Sequence, residues 1–297
     1  MKRYILLMLA VCCLLPASAQ QSIREISKEP LCLLTPDSAQ KTKQLVILQT
    51  SDTHSRIEPI AVNAADRYAG MGGTVRRATF IKEARKVNPD LLLFDCGDIS
   101  QGTPYYNLFQ GEVEVKMMNL MGYDAMTIGN HEFDFGLENM ARLFRMANFP
   151  VVCANYDVTG TVLEGLVKPY TTFSRNGLKI GVFGLAPKME GLVQADKCEG
   201  VVYNDPIEVA QKTTDLLKNQ EGCDVVICLS HLGYQLKGAP CDEELAQKHT
   251  HTFMKEPAIY LNKDGKNVPV MHTGKSGIYV GMLKLTLTEE EAQPSSK

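Results

Sequence analysis

From Gln44 onward, short apolar runs alternate with longer segments in which apolar residues recur at every third or fourth position. The short runs are rich in Val, Ile and Leu, which is typical of buried strands. They predict strands over Leu45–Gln49, Leu91–Asp95, Ala125–Ile128, Val151–Ala154, Lys179–Leu185, Val225–Ser230, Val268–His272 and Gly281–Leu287. Strands that alternate with helical segments are typical of an α/β fold.

The segments between these strands carry apolar stripes at helical spacing. One stripe begins at Phe80, a second at Val113 and a third at Met140. We interpret each stripe as the face of a helix that packs on a sheet. Asp205-Pro206 predicts the start of a further helix, with an N-cap followed by a proline at the first helical position. Asn176-Gly177, between two β-rich runs, predicts a hairpin turn.

The first nineteen residues have the pattern of a secretory signal peptide. Lys2 and Arg3 form a basic start, Ile5–Leu15 is apolar, and Ala17-Ser18-Ala19 is a small-x-small cleavage signal. The apolar run is shorter than the ~20 residues that cross a bilayer, which favours a signal peptide over a membrane anchor. We therefore expect a mature chain that begins near Gln20 and is periplasmic or secreted. No other segment predicts a membrane span.

In the remaining chain, the pattern of residues predicts one domain over residues 44–288. A polar linker over 20–43 precedes it and a polar tail over 289–297 follows it. Its composition, 44% hydrophobic and 22% charged, is that of a globular protein. The net charge of -3 gives no basic surface for nucleic acid, so we expect no such partner. The sequence has no C-x-x-C pair, so nothing indicates a zinc ribbon. Cys96, Cys153 and Cys228 lie in apolar runs, where we expect buried thiols.

Four segments place metal-binding residue types directly after a predicted strand. They are Ser51-Asp52-Thr53-His54, Asp95-Cys96-Gly97-Asp98, Gly129-Asn130-His131-Glu132-Phe133-Asp134 and Ser230-His231. Because α/β proteins build their sites at the carboxyl ends of strands, we expect these side chains to converge. In an extended chain, Asp52 and His54 would point to the same side and could bind one ion. Four such segments in succession predict a metal site.

These motifs resemble those of the calcineurin-like metallophosphoesterases. Phe133 and Asp134 after Gly-Asn-His-Glu, with Ser230-His231-Leu232-Gly233, are similar to the 5′-nucleotidase and UDP-sugar hydrolase branch. The resemblance covers roughly residues 45–287, the N-terminal catalytic domain of that branch. It implies a four-layer αββα sandwich and hydrolysis of phosphate esters, either 5′-nucleotides or UDP-sugars. The reaction expected from it is attack of a metal-bound hydroxide on phosphorus.

The resemblance also implies two divalent metal ions with shared ligands. It assigns Asp52, His54 and His251 to the first ion, Asn130, His231 and His249 to the second, and Asp98 as the bridge. Mixed oxygen and imidazole ligands suit Zn, Mn, Fe or Co better than Ca. Two neighbouring ions can deprotonate a water and stabilise both the attacking and the leaving oxygen.

One histidine of the third segment has a different expected role. His131 follows the ligand Asn130 directly and cannot point the same way, so we expect it beside the ions. The resemblance pairs it with Asp134, whose carboxylate would orient it as a general acid for the leaving oxygen. The sequence leaves open whether Glu132 has a functional or a structural role.

The chain departs from the family pattern before His249. The family has a strand here that ends in Gly-Gly-His, whereas the helical segment 242–248 leads directly into His249. On a helix, His249 and His251 would lie about 200° apart and could not both face one metal pair. Three explanations stay open: a deletion compensated by a local extended segment, a defective variant, or an error in the recorded sequence. Two smaller points are Ser55, where the family has Gly, and His272, which we interpret as a polar strand-end residue.

A second departure concerns substrate recognition. The family continues into a C-terminal domain that stacks the nucleobase between aromatic rings, and this chain ends at Lys297. We therefore expect a small-molecule phosphate ester as substrate and a separately encoded C-terminal nucleotidase domain as a partner. Alternatives on the same metal domain are a 2′,3′-cyclic nucleotide phosphodiesterase and a sulfur-ester hydrolase. A further alternative is a non-catalytic binding subunit whose metal site is damaged by the gap.

Overall fold

The computed structural model describes residues 5–9, 42–234, 238–246, 258–261 and 267–288. Within these ranges the strands are β1 (Ile5–Leu9), β2 (Thr42–Thr50), β3 (Leu92–Asp95), β4 (Ala125–Met126), β5 (Val151–Val152), β6 (Tyr156–Asp157), β7 (Val167–Lys168), β8 (Tyr170–Arg175), β9 (Leu178–Leu185), β10 (Val202–Tyr203), β11 (Val225–Ser230), β12 (Ala258–Leu261), β13 (Asn267–Val270) and β14 (Gly281–Thr288). The helices are α1 (Thr74–Val87), α2 (Pro104–Phe109), α3 (Glu112–Met121), α4 (Gly136–Met146), α5 (Pro206–Asn219) and α6 (Asp242–Ala246). Short 3₁₀ turns cover His131–Phe133 and Ala195–Lys197.

Two sheets form the centre of the domain. The larger has the order β14-β2-β3-β4-β5-β7, and the smaller has the order β1-β11-β9-β8. In the larger sheet β2, β3, β4, β5 and β7 are parallel and β14 is antiparallel to β2. In the smaller sheet β11 is parallel to β9, and β8 is antiparallel to β9. The carboxyl ends of β3 and β11, which carry two of the four predicted ligand segments, come from different sheets.

Three apolar clusters separate four layers. Leu45, Phe94, Ile180 and Ile227 belong to the cluster that both sheets share, and all four are almost completely buried. A second cluster joins the opposite face of the larger sheet to α1, α3 and α4, and a third joins the smaller sheet to α5. This packing gives the αββα order that the resemblance implies. The burial of strand side chains on both faces explains why these strands have continuous apolar sequences.

The local signals in the sequence are confirmed where the structure describes them. The side chain of Asp205 accepts hydrogen bonds from the backbone N–H groups of Ile207 (2.9 Å) and Glu208 (3.0 Å), which caps α5. Asn176 and Gly177 have φ values of 50° and 69° and form the turn between β8 and β9. Positive φ at both positions is the requirement of this hairpin type, and it favours Asn-Gly.

One edge strand comes from the segment predicted to be a signal peptide. β1 pairs with β11 in parallel register, from Ile5 beside Val225 to Leu9 beside Leu229, and also contacts β13. An apolar run is compatible with a sheet strand as well as with a leader peptide, and the basic start and the small-x-small site favoured the leader in the sequence. Among the helices that the structure describes, none is long and apolar enough to cross a membrane.

Candidate active site

The loops that follow β2 and β3 are joined by backbone hydrogen bonds. The N–H of Asp52 donates to the carbonyl oxygen of Gly97 at 2.9 Å. The N–H of His54 donates to the carbonyl oxygen of Asp98 at 3.1 Å, and that of Ser55 to Ile99 at 2.9 Å. The first two predicted ligand segments therefore form one connected unit above the larger sheet.

Asp52 and His54 do meet, although not for the reason that the sequence suggested. Both residues have left-handed backbones, with φ values of 51° and 47°, so the expectation of an extended chain is wrong. The Nε2 atom of His54 lies 3.6 Å from Oδ1 of Asp52. Left-handed backbone is unusual for residues with a Cβ atom and is concentrated at functional sites, where the surroundings enforce it.

Asp98 lies at the centre of the site. Its Oδ2 atom is 3.1 Å from Nε2 of His231 and 3.4 Å from Nε2 of His54, and its Oδ1 atom accepts the N–H of His131 at 2.9 Å. Burial favours the protonated acid, but the charge of His231 and these hydrogen bonds keep the pKa of Asp98 well below its ordinary range. The residue is 3% exposed. It is therefore an ionised carboxylate that contacts three of the four ligand segments.

His231 is oriented by a backbone group on the other sheet. Its Nδ1 atom donates to the carbonyl oxygen of Cys96 at 2.7 Å, which turns Nε2 toward Asp98. Burial alone would lower the pKa of this imidazole, but the Asp98 carboxylate raises it to about 10. A histidine that donates one ring N–H to a carbonyl and presents the other nitrogen to a carboxylate has the arrangement of a metal ligand.

The donor atoms of Asp52, Asp98 and His231 all lie within 4.8 Å of one another. Two carboxylates and an imidazole at this separation are a donor set that fits a divalent transition metal. The raised pKa of His231 and the lowered pKa of Asp98 pair a proton on the imidazole with the charge of the carboxylate. A divalent cation would replace that proton.

Two glycines allow the loops after β3 and β4 to approach. A Cβ atom on Gly129 would lie 2.2 Å from Oδ1 of Asp98, and one on Gly97 would lie 2.5 Å from the backbone nitrogen of Gly129. Neither distance is compatible with a side chain. The Gly-Asp and Gly-Asn-His-Glu motifs therefore need glycine because each loop packs directly against the other.

Glu132 links the same two loops and has a structural role. Its Oε2 atom accepts the backbone N–H groups of Asp98 (3.0 Å) and Gly129 (2.5 Å), and its Oε1 atom accepts that of Ile99 (2.9 Å). The side chain is 3% exposed, and burial together with the Asp98 carboxylate raises its pKa to about 7. The sequence left this role open, because it depends on N–H groups from two loops that are distant in the chain.

His131 forms a pair with Asp134, as the resemblance implied. Its Nδ1 atom lies 3.0 Å from Oδ2 of Asp134, and its ring is 5.6 Å from that of His54 in an edge-to-face arrangement. The same Asp134 oxygen accepts the hydroxyl of Tyr106 at 2.6 Å. Tyr106 was not predicted as a site residue, since nothing in its spacing connects it to Asp134.

The structure describes some of the other predicted residues. Asn130 immediately precedes the 3₁₀ turn that begins at His131. His249 and His251 lie outside the described residues. His272 follows β13, and its Nε2 atom is 2.9 Å from Oδ2 of the buried Asp242.

Ser55, which stands where the family has Gly, has a left-handed backbone with φ of 50°. This conformation explains the preference for glycine at this position. The Ser55 hydroxyl accepts the N–H of Gln101 at 3.1 Å, and its carbonyl oxygen accepts the hydroxyl of Thr103 at 2.9 Å. The serine side chain therefore forms a contact with the loop after β3 that a glycine could not form.

Comparison with known proteins agrees with this geometry. Residues 45–261 match the sequence profile of the calcineurin-like phosphoesterases, and the chain belongs to that family. Among curated relatives, the 5′-nucleotidase of Rattus norvegicus is 32% identical over 280 residues, which are 84% of this chain and 47% of that protein. The chain thus spans about half the length of the curated relatives that it matches.

Solved structures give the same result. The 5′-nucleotidase precursor of Thermus thermophilus superposes with a TM-score of 0.71 and 30% identity, over 81% of this chain and 51% of that one. The NAD nucleotidase of Haemophilus influenzae superposes with a TM-score of 0.72 and 28% identity, over 83% of this chain and 53% of that one. The family and fold expected from the motifs are therefore confirmed.

Proposed function

We propose that this chain is the catalytic domain of an exported phosphoesterase that uses two divalent metal ions. Its substrates are phosphate esters, with 5′-nucleotides or UDP-sugars as the preferred class. The observation that carries the proposal is the position of Asp98, whose two carboxylate oxygens contact His231, His54 and the backbone of His131. A buried, ionised carboxylate with two imidazoles on one oxygen suits a bridging ligand.

The proposed ligands follow from this centre. Asp52 and His54 would bind one ion, Asn130 and His231 the other, and Asp98 both. His249 and His251 complete the two sets by resemblance. These residues would hold divalent ions, which would supply an activated water and offset the negative charge on the phosphoryl oxygens.

The protein's own contribution to the proton transfer is the His131–Asp134 pair. Asp134 accepts Nδ1–H of His131, which leaves Nε2 to donate a proton to the leaving oxygen. The carboxylate stabilises the positive charge that this imidazole carries before it donates. His131 and His54 are close neighbours, so the proton donor lies beside the proposed metal ligands.

The discriminating experiment compares four substrates with the purified full chain: AMP, UDP-glucose, a 2′,3′-cyclic nucleotide and a thiosulfate ester. Phosphate release from AMP or cleavage of UDP-glucose, dependent on added Mn²⁺ or Zn²⁺, is the expected result. Activity confined to the cyclic nucleotide or the sulfur compound would reassign the substrate class. A chain that binds no metal and hydrolyses none of the four would be a binding subunit, and the proposal would be wrong.

We further propose that base specificity comes from a partner domain that resembles the C-terminal half of the relatives, whether or not the two domains share one chain. The support is the length of the match, since the chain covers 47% of the rat protein. The isolated chain should then hydrolyse AMP, UMP and glycerol phosphate with similar kcat/KM. Strong discrimination between bases without a partner would contradict this part of the proposal.

Export is proposed from the basic start, apolar run and Ala17-Ser18-Ala19 of the sequence. Removal of this segment would also remove β1 from its place beside β11. Amino-terminal sequencing of the protein recovered outside the cytoplasm should find a chain that begins near Gln20. A chain that keeps Met1 and stays in the cytoplasm would refute export and would make β1 a permanent strand of the domain.

A further inference from the structure

Asp134 contacts a second donor besides His131. A single oxygen, Oδ2, accepts the Nδ1–H of His131 at 3.0 Å and the phenol of Tyr106 at 2.6 Å. The carboxylate is partly exposed, with 30% of its side chain accessible, so burial alone does not fix its orientation. Two directional hydrogen bonds on one oxygen do restrict it, because any rotation of the carboxyl group breaks at least one of them.

Tyr106 is itself held in place by packing. It lies in α2, in the segment that follows the Gly-Asp loop, and its ring packs on Phe135 with a centroid distance of 4.8 Å. Burial and the neighbouring Asp134 carboxylate raise the pKa of the Tyr106 phenol far above its ordinary value. The phenol therefore stays protonated near neutral pH and donates its proton to the Asp134 carboxylate.

We propose that Tyr106 is a positioning residue for proton transfer to the leaving group. Its hydroxyl holds the Asp134 carboxylate in the orientation that aligns the imidazole of His131. Tyr106 does not contact the substrate in this proposal, and its effect passes through Asp134 to His131. The proposal rests on the phosphoesterase function proposed above.

The test is Tyr106→Phe, which keeps the ring on Phe135 and removes only the hydroxyl. For an alkyl phosphate such as glycerol phosphate, whose leaving oxygen must be protonated, kcat should fall about tenfold with little change in KM. For nitrophenyl phosphate, whose leaving oxygen needs no proton, kcat should stay within about twofold. Metal content and the melting temperature should match those of the wild type.

Tyr105→Phe is the matched control. It makes the same chemical change one residue away in α2, where the Tyr105 hydroxyl bonds the exposed Glu58 at 3.1 Å and not Asp134. This variant should leave kcat unchanged for both esters. In a His131→Ala background, Tyr106→Phe should have no further effect, because the group that it aligns is absent.

Equal losses on both esters, or additive losses in the double variant, would overturn the role of Tyr106. An unchanged kcat for Tyr106→Phe on glycerol phosphate would also overturn it. A wild-type chain without activity on either ester would instead refute the proposed function, so the two failures are distinguishable.

Discussion

Nε2 of His231 lies 3.1 Å from Oδ2 of Asp98, although the two residues follow strands of different sheets. Asp98 follows β3 of the larger sheet and His231 follows β11 of the smaller one. The contact therefore forms only when the sheets pack face to face through their shared apolar cluster. Formation of the candidate metal site and formation of the core are linked for this reason.

His131→Ala should separate the two chemical roles at the site. Both ions should stay bound, because His131 lies beside the proposed ligands. The rate for glycerol phosphate should fall about 100-fold, and that for nitrophenyl phosphate much less, because only the former needs a protonated leaving oxygen. Steady-state kinetics with both esters checks this. Equal losses would show that His131 is not a general acid.

Gly129→Ala should displace the Asp98 carboxylate, although Gly129 is not itself a proposed metal ligand. The added carbon would lie 2.2 Å from Oδ1 of Asp98, so the carboxylate has to move. We expect a loss of about 1–3 kcal/mol in the free energy of unfolding and roughly a tenfold or greater loss in rate. Gly191→Ala is a control for the rate alone, since nothing lies within 4 Å of its added carbon although its φ of 82° disfavours alanine. That control should keep wild-type kcat, and a Gly129→Ala variant with wild-type kcat would contradict the close packing of the loops.

Asp95→Asn should change how stability depends on pH. Asp95 is buried below the site and accepts hydrogen bonds from Thr50 (2.5 Å) and Gly97 (2.9 Å), and burial raises its pKa from 3.8 to about 7. The folded protein therefore binds one more proton than the unfolded chain between about pH 4 and pH 7. Wild-type stability is fully present below pH 4 and falls across this window as pH rises.

The asparagine variant lacks this titration. Its free energy of unfolding should therefore increase relative to that of the wild type as the pH rises from 4 to 7. Urea unfolding at several pH values, with metal removed, measures the difference. A difference that is constant with pH would show that Asp95 has an ordinary pKa. The network can accept the amide, because Thr50 also contacts the hydroxyl of Tyr123 at 2.8 Å and its donor direction can reverse.

Much of the scaffold was predictable because local rules determine it. The strand Val225–Ser230 was predicted with its observed bounds, and the Asn176-Gly177 turn and the Asp205 cap follow from backbone preferences that act within a few residues. The short strands β6 and β10 were missed. Each has two residues, and their pairing depends on tertiary contact rather than on sequence period.

The site was predictable in its residue types and not in its geometry. Asp52 and His54 were expected to meet because of extended backbone, and they meet through left-handed backbone that the loop after β3 supports. The role of Glu132 and the contact between Tyr106 and Asp134 depend on partners in other loops, so no spacing in the sequence indicates them. β1 shows the converse, since one apolar run is compatible with both a leader peptide and a strand.

The central claim is that Asp98 bridges two metal ions, and the most direct measurement is the metal content per chain. Wild type and Asp98→Asn would be loaded with Mn²⁺ or Zn²⁺, passed through a desalting column and analysed for metal. Wild type should keep about two ions per chain and Asp98→Asn fewer than about one, because the amide lacks the charge and the second anionic oxygen of a bridge. No bound metal in the wild type, or equal metal in both proteins, would contradict the account.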